Sequence, residues 1–329
     1  MDNLKSFKSL LYTINEQNAP DIALRLFRFQ AEHNPIYGNY IRHLGINTSE
    51  VSTLEAIPFL PISFFKSHTL QTGRWTPETF FTSSGTTGLT TSTHAIADLG
   101  FYLKHAEKCF THFFGALDQY QIFALMPSYL ERSGSSLIEM LKHFINRTGT
   151  TESGFYLYNH DDLARNLERA KKSNRTIILW GVAFALLDFA EKYSIDLSGH
   201  LVFETGGMKG RRKEITREAM HEQLKQCFNV SEVHSEYGMT ELLSQAYTRG
   251  GELFYPSPWM KIIVRETTDP LEKGLVSKTG GLNVIDFANF QSISFIETED
   301  AGKLNPDGTF EVLGRLDNSD VRGCNLMVE

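Results

Sequence analysis

Between Phe101 and Met239 short apolar runs alternate with amphipathic stretches, and no other feature of the chain limits its fold as strongly. Gln121–Met126, Phe155–Tyr158, Thr176–Trp180 and Leu201–Glu204 have the length and apolar density of strands covered on both faces. Ser136–Asn146, Asp161–Lys172 and Glu214–Phe228 carry apolar residues at helical spacing between them, and Phe101, Tyr102, His105, Cys109, Phe110 and Phe113 mark one helix more. Strands taking turns with helices predict parallel βαβ units. The expected fold class is therefore α/β with a doubly wound core, whose ligands sit beyond the strand C-terminal ends. The longest apolar run, Ile177–Leu187, is well short of the ~20 residues that span a bilayer. It is closed by Asp188 and reads as a buried strand passing into a helix, not as a membrane span.

Residues 1–75 are predicted to form a helical flank, with Ile22, Leu24, Leu26, Phe27 and Phe29 packed around turns at Pro20 and Pro35. Beyond Gly250 the helical spacing ends and short β runs follow at Lys261–Arg265, Leu282–Phe287, Ser292–Glu297 and Phe310–Leu313, a small β subdomain. No repeat, low-complexity tract or linker divides the 329 residues, so one continuous body is expected. Its 32 Lys and Arg against 39 Asp and Glu give a net charge of -7, which repels phosphate backbones and leaves no basic footprint for nucleic acid. Cys109, Cys227 and Cys324 have neither zinc-site spacing nor a disulfide framework, and the N-terminus lacks the features of a signal peptide. A cytoplasmic protein is expected.

Three separated stretches carry candidate chemistry. Phe80-Phe81-Thr82-Ser83-Ser84-Gly85-Thr86-Thr87-Gly88 is a hydroxyl- and glycine-rich loop that can turn backbone N–H groups toward phosphate oxygens, without the GxxxxGK[ST] spacing of a Walker loop. Ser235-Glu236-Tyr237-Gly238-Met239-Thr240-Glu241 combines an aromatic plane, a glycine for close approach, a hydroxyl and a carboxylate able to hold Mg²⁺. Thr298-Glu299-Asp300 and Gly314-Arg315-Leu316-Asp317 offer a carboxylate for ribose hydroxyls and a guanidinium for phosphate. Taken singly, each stretch reads equally as a turn, a strand end or a solvated loop.

In this order the three motifs resemble those of the adenylate-forming superfamily: acyl-CoA synthetases, luciferases and nonribosomal adenylation domains. The resemblance implies that the chain is an adenylation core corresponding to that superfamily's large N-terminal domain. Residues 1–75 would be its helical flank, 76–250 the α/β core with the phosphate loop, and 251–329 the β-rich subdomain and tail. It implies that Ser83, Ser84, Gly85, Thr86, Thr87 and Gly88 hold the phosphates of ATP, that Tyr237 and Gly238 lie at adenine, that Gly206-Gly207 is the adenine-side glycine turn, and that Thr240 contacts the α-phosphate. Glu241 would bind Mg²⁺, Asp300 the ribose hydroxyls, and Arg315 the neighbourhood of ribose and phosphate.

Departures from the general pattern narrow the resemblance. Leu89-Thr90-Thr91 stands where most members have a proline and a lysine, and the chain stops soon after Gly323, before the mobile C-terminal domain with its catalytic lysine. Met126-Pro127-Ser128-Tyr129-Leu130-Glu131-Arg132 with Ser135-Ser136, Glu204-Thr205-Gly206-Gly207-Met208-Lys209-Gly210 and Arg322-Gly323-Cys324 are similar to the acyl-protein synthetase (LuxE-like) branch. That branch is the synthetase component of the bioluminescence fatty-acid reductase complex. It implies a fatty acid substrate, a cysteine near the C-terminus that accepts the acyl group, and an acyl-CoA or fatty-acid reductase as partner. Cys324 takes that acceptor role, with Arg322 near enough in sequence to favour its thiolate, while Cys109 and Cys227 are read as core.

Lys209, Arg211, Arg212 and Lys213 crowd the start of a helix, against the macrodipole, so an anion is expected there. Lys209, nearest the glycine pair, is the candidate to neutralise the α-phosphate or the leaving pyrophosphate. A solvated basic face, balanced by Glu214 and Glu218, is the other reading. Three rivals stand beside acyl-protein synthesis: a ligase that delivers the acyl group to coenzyme A or a carrier protein, a nucleotide-binding subunit of a reductase complex without turnover, and a serine hydrolase. The hydrolase is the weakest, since His94, His105, His200 and His234 supply bases but no GxSxG elbow occurs.

Overall fold

The computed structural model describes residues 3–83, 91–127, 133–206, 215–267, 269 and 272–316. The flank holds α1 (Leu4–Leu10), α2 (Ala19–His33) and α3 (Pro35–His43). Pro20 and Pro35 begin helices instead of forming turns between them. A proline N–H is missing where a helix start has no use for one, and Asn34 caps α3 by accepting from the N–H groups of Ile36 and Tyr37. The chain continues through β1 (Leu60–Pro61), α4 (Phe64–Ser67) and a hairpin of β2 (Thr79–Thr82) and β3 (Thr93–Ile96). The sequence reading did not anticipate that hairpin.

The α/β part follows as α5 (Leu99–Phe114), β4 (Tyr120–Leu125), α6 (Ser136–Thr148), β5 (Gly154–Tyr156), α7 (His160–Ala170), β6 (Thr176–Val182), α8 (Ala183–Lys192), β7 (Leu201–Thr205), α9 (Arg217–Phe228) and β8 (His234–Tyr237). Strands β5, β4, β6, β7 and β8 lie side by side and parallel, as the alternation predicts. All six residues of β4 are buried, and Trp180 of β6 stacks on Phe203 of β7 at 4.5 Å with Phe110 of α5 beside them. Ser135, Thr216 and Asp98 cap α6, α9 and α5, and Gly149 and Asn229 close α6 and α9 in the left-handed conformation.

From β8 the sheet changes direction. β9 (Ala246–Thr248) and β10 (Phe254–Pro256) are antiparallel additions, and β14 (Phe310–Arg315), β13 (Phe295–Leu304), β12 (Thr279–Asp286) and β11 (Met260–Arg265) complete one 12-stranded sheet in which β1 pairs with β13. The strand expected at Ser292–Glu297 runs instead from Phe295 to Leu304, so Thr298-Glu299-Asp300 lies in a strand and not in a loop. No helix among the described residues is long and apolar enough to cross a membrane.

Candidate functional site

The parallel strands end where the antiparallel ones begin, and the site is built on that seam. Thr205 ends β7 and is followed by Gly206 at φ 68°; Tyr237 ends β8 and leads into residues 238–245, which return as β9. Thr82 and Ser83, at the end of β2, are tied to the lead-in of α6 by the Thr82 N–H donating to the Gly134 carbonyl at 2.8 Å. Together these pieces enclose a cleft of about 200 Å³ lined by Thr82, Ser83, Tyr102, Ser135, Thr205, Gly206, Glu236, Gly238, Met239, Thr240, Glu241 and Gln245 among others. A smaller recess of about 50 Å³ is lined by Ile62, Lys66, Ser92, Met239, Glu241, Thr298, Glu299, Asp300 and Arg315. Met239 and Glu241 line both, so the recess and the cleft share a wall.

That shared wall is fixed from behind. A Cβ on Gly238 would fall 2.1 Å from Glu236 Oε1, so any larger residue there would have to displace that carboxylate. The Asn289 amide donates to the Glu241 carbonyl at 2.8 Å, and His94 Nδ1 donates to the Thr240 carbonyl at 2.8 Å. Asp286 accepts from the N–H groups of Leu243 and Ser244 and from the Ser244 hydroxyl at 2.6 Å, which leaves Ser244 Oγ to accept from His105 Nε2 at 2.8 Å. The proton of His105 therefore sits on Nε2, and burial lowers the pKa of this neutral ring to about 3.

On the recess side, Asp300 of β13 stands opposite Arg315 of β14 in the ladder. The Tyr237 hydroxyl donates to Asp300 Oδ2 at 2.9 Å, Arg315 Nη1 lies 3.7 Å from Asp300 Oδ1, and the same guanidinium pairs with Glu299. Burial raises the Asp300 pKa despite Arg315 and Tyr237. The Tyr237 ring is 8% exposed, edge-on to Phe310 at 5.3 Å and tilted against Phe254 at 5.8 Å. It stands behind the wall, and its hydroxyl orients Asp300.

Of the residues singled out from sequence, Ser83, Gly206, Gly238, Thr240 and Glu241 line the cleft, Asp300 and Arg315 line the recess, and Tyr237 supports it. Ser84, Gly85, Thr86, Thr87, Gly88, Gly207, Lys209 and Cys324 lie outside the described residues. Cys109 is fully buried with its thiol pushed up to about 12 by burial, while Cys227 is half-buried at the margin of the core. Among the described residues no cluster of three or more His, Cys, Asp or Glu forms a metal cage. A buried carboxylate such as Glu241 suits Mg²⁺, which keeps several waters and takes phosphate oxygens for the rest.

Sequence reasoning missed four contributors. Asn289 and His94 act through backbone carbonyls and leave no local signature. Gln245 lies beyond the quoted motif, and Glu236 lies inside it but was given no role. Glu236 Oε2 accepts from Thr205 Oγ1 at 2.9 Å, and its pKa is pushed up to about 7 by burial and by the charge of Glu204. Burial also pushes Glu204 up, yet His221, Arg217 and Ser235 outweigh it and hold Glu204 below the usual carboxylate range.

Neither a protein-family model nor a curated protein matches the sequence. Solved structures do match the fold. A 2-hydroxyisobutyryl-CoA ligase, in complex with 2-HIB-AMP and CoA in the thioesterification state, aligns with a TM-score of 0.68 at 12% identity, over 97% of this chain and 70% of that one. ATP-bound MatB from Rhodopseudomonas palustris aligns at 0.53 with 15% identity, over 72% and 47%. A long-chain-fatty-acid-CoA ligase from Archaeoglobus fulgidus aligns at 0.50 with 17% identity, over 72% and 51%. The chain spans about half the length of the MatB structures it matches. It has the α/β fold of adenylate-forming enzyme domains, with one large central sheet.

Proposed function

We propose that this chain binds ATP across the seam of its sheet and activates a carboxylic acid as an acyl-adenylate. One observation carries the reading: Met239 and Glu241 face both the hydroxyl-lined cleft and the recess of Asp300 and Arg315, so a single nucleotide can meet all three sequence motifs at once. Asp300 would take the ribose hydroxyls and Arg315 the ribose–phosphate side. Thr240 and Ser83, with the stretch that follows Ser83, would donate to phosphate oxygens. Gly206 and Gly238 leave space for the nucleotide near adenine. Glu241 would hold Mg²⁺, which supplies charge neutralisation on the phosphates when bound.

A carboxylate is a poor electrophile, and joining it to AMP gives it a good leaving group. The acid's oxygen attacks the α-phosphorus, the bond to the bridging oxygen of pyrophosphate breaks, and donors fixed on the cleft wall stabilise the charge that builds on the phosphate. The backbone bonds from Asn289 and His94 keep residues 240–241 from having to reorganise during that step.

The similarity of Arg322-Gly323-Cys324 to the acyl-protein synthetases supports a second step. The Cys324 thiolate would attack the acyl carbon, release AMP and hold a thioester for a reductase partner. Delivery to coenzyme A is the competing acceptor, favoured by the alignment with a ligase seen with CoA. ATP–pyrophosphate exchange driven by a panel of acids tests the first step, and silence with every acid class would reject it. Mass spectrometry of wild type and Cys324→Ser with ATP, Mg²⁺ and acid tests the second: an adduct lost in the variant is the expected result, and unchanged labelling assigns the acyl group elsewhere.

A further inference from the structure

The interior wall of the cleft holds a buried hydrogen-bond acceptor that the protein does not satisfy, next to a carboxylate. Gln245 is 3% exposed; its amide N–H donates to the Leu243 carbonyl at 3.0 Å, and its Oε1 is buried without a partner. Glu236 Oε2 takes the Thr205 hydroxyl, and the Glu236 side chain lines the cleft beside Gln245. The nearby Tyr102 hydroxyl is already used, donating to the Ser136 carbonyl at 3.0 Å. Glu204, the next carboxylate, keeps Arg217 at 3.8 Å and His221 at 3.6 Å for itself. A buried acceptor without a donor is costly, and a bare alkyl chain would leave Gln245 Oε1 as it is.

We propose that the acid activated here carries a hydrogen-bond donor on its acyl part, an ammonium or a hydroxyl, received by Gln245 Oε1 and the neighbouring Glu236 carboxylate. This rests on the acid-activation reading and narrows it away from long-chain fatty acids. An ammonium would also neutralise an ionised Glu236, whereas a hydroxyl would serve either acceptor. A site built around a substrate O–H or N–H rejects analogues that lack it far more strongly than an apolar pocket rejects a size mismatch.

The test is ATP–pyrophosphate exchange with butanoate, its 2- and 3-hydroxy derivatives, its 2- and 3-amino derivatives, and tetradecanoate. The expected result is a kcat/KM for at least one donor-bearing acid about 100-fold or more above butanoate, with the hydroxy and amino arms telling the two donors apart. In Glu236→Gln and, separately, Gln245→Leu, that preference should shrink by about 10-fold or more; the two variants guard against one failing to fold. Butanoate or tetradecanoate matching the substituted acids, or a preference that survives both variants, overturns this proposal while leaving acid activation in place. No exchange with any acid overturns both.

Discussion

The parallel and antiparallel halves of the sheet bring different groups to the two sides of one shared wall, the cleft and the recess. In β4, β6 and β7 the strands are almost wholly buried, and what the parallel half offers lies at the C-terminal ends of β7 and β8: Thr205, Gly206 and the start of 238–245. In β13 and β14 the strands themselves carry the side chains of the recess, Thr298, Glu299, Asp300 and Arg315, with Asp300 set opposite Arg315 by the ladder. The first half stays rigid through a covered aromatic core. The second affords half-buried charges because each has a cross-strand or neighbouring partner. Stability and binding should therefore separate between the halves.

The largest effect should come from breaking the parallel half. Phe203→Ala removes the ring stacked on Trp180 and should cost about 3–5 kcal/mol of unfolding free energy, read by chemical denaturation. A loss below 1 kcal/mol would mean that this half is not the stabilising one. Next, Asp300→Asn should lower kcat/KM for ATP about 100-fold with the melting temperature nearly unchanged, because this buried carboxyl already bears a desolvation penalty. A large drop in melting temperature would show that Asp300 serves the fold and not the nucleotide. The smallest effect concerns the seam. His105 is buried neutral with a folded pKa lowered to about 3, so the unfolded chain binds the extra proton first. Its contribution is present above about pH 6.5, the unfolded value, and is lost as pH falls toward 3. His105→Gln should flatten that acid slope and cost about 1 kcal/mol at pH 8 through the bond to Ser244; an unchanged slope would place the acid sensitivity elsewhere.

The parallel half was legible because its signal is local. Runs such as Thr176–Trp180 are long, apolar and separated by amphipathic helices, and even the passage from β6 into α8 shows as one run ended by Asp188. The β2–β3 hairpin, β9 and β10 were not legible, since three- and four-residue strands carry too few alternations to stand out. In the site, Thr240, Glu241, Asp300 and Arg315 could be named from sequence because motif order stands in for convergence in space. Asn289, His94 and Gln245 could not, because their contribution depends on which backbone groups and which void they happen to face once folded. Tyr237 was legible as a site residue, yet its ring is given to Phe254 and Phe310 and only its hydroxyl to the recess.

Residues 238–245 belong to both halves: they finish the last parallel strand and open the first antiparallel one. A polypeptide severed there would part the hydroxyl-bearing wall from the ladder of Asp300 and Arg315, and neither fragment would inherit a grip on a nucleotide. On the proposed reading, reassembly of two such fragments would have to restore the loop before it restored the chemistry.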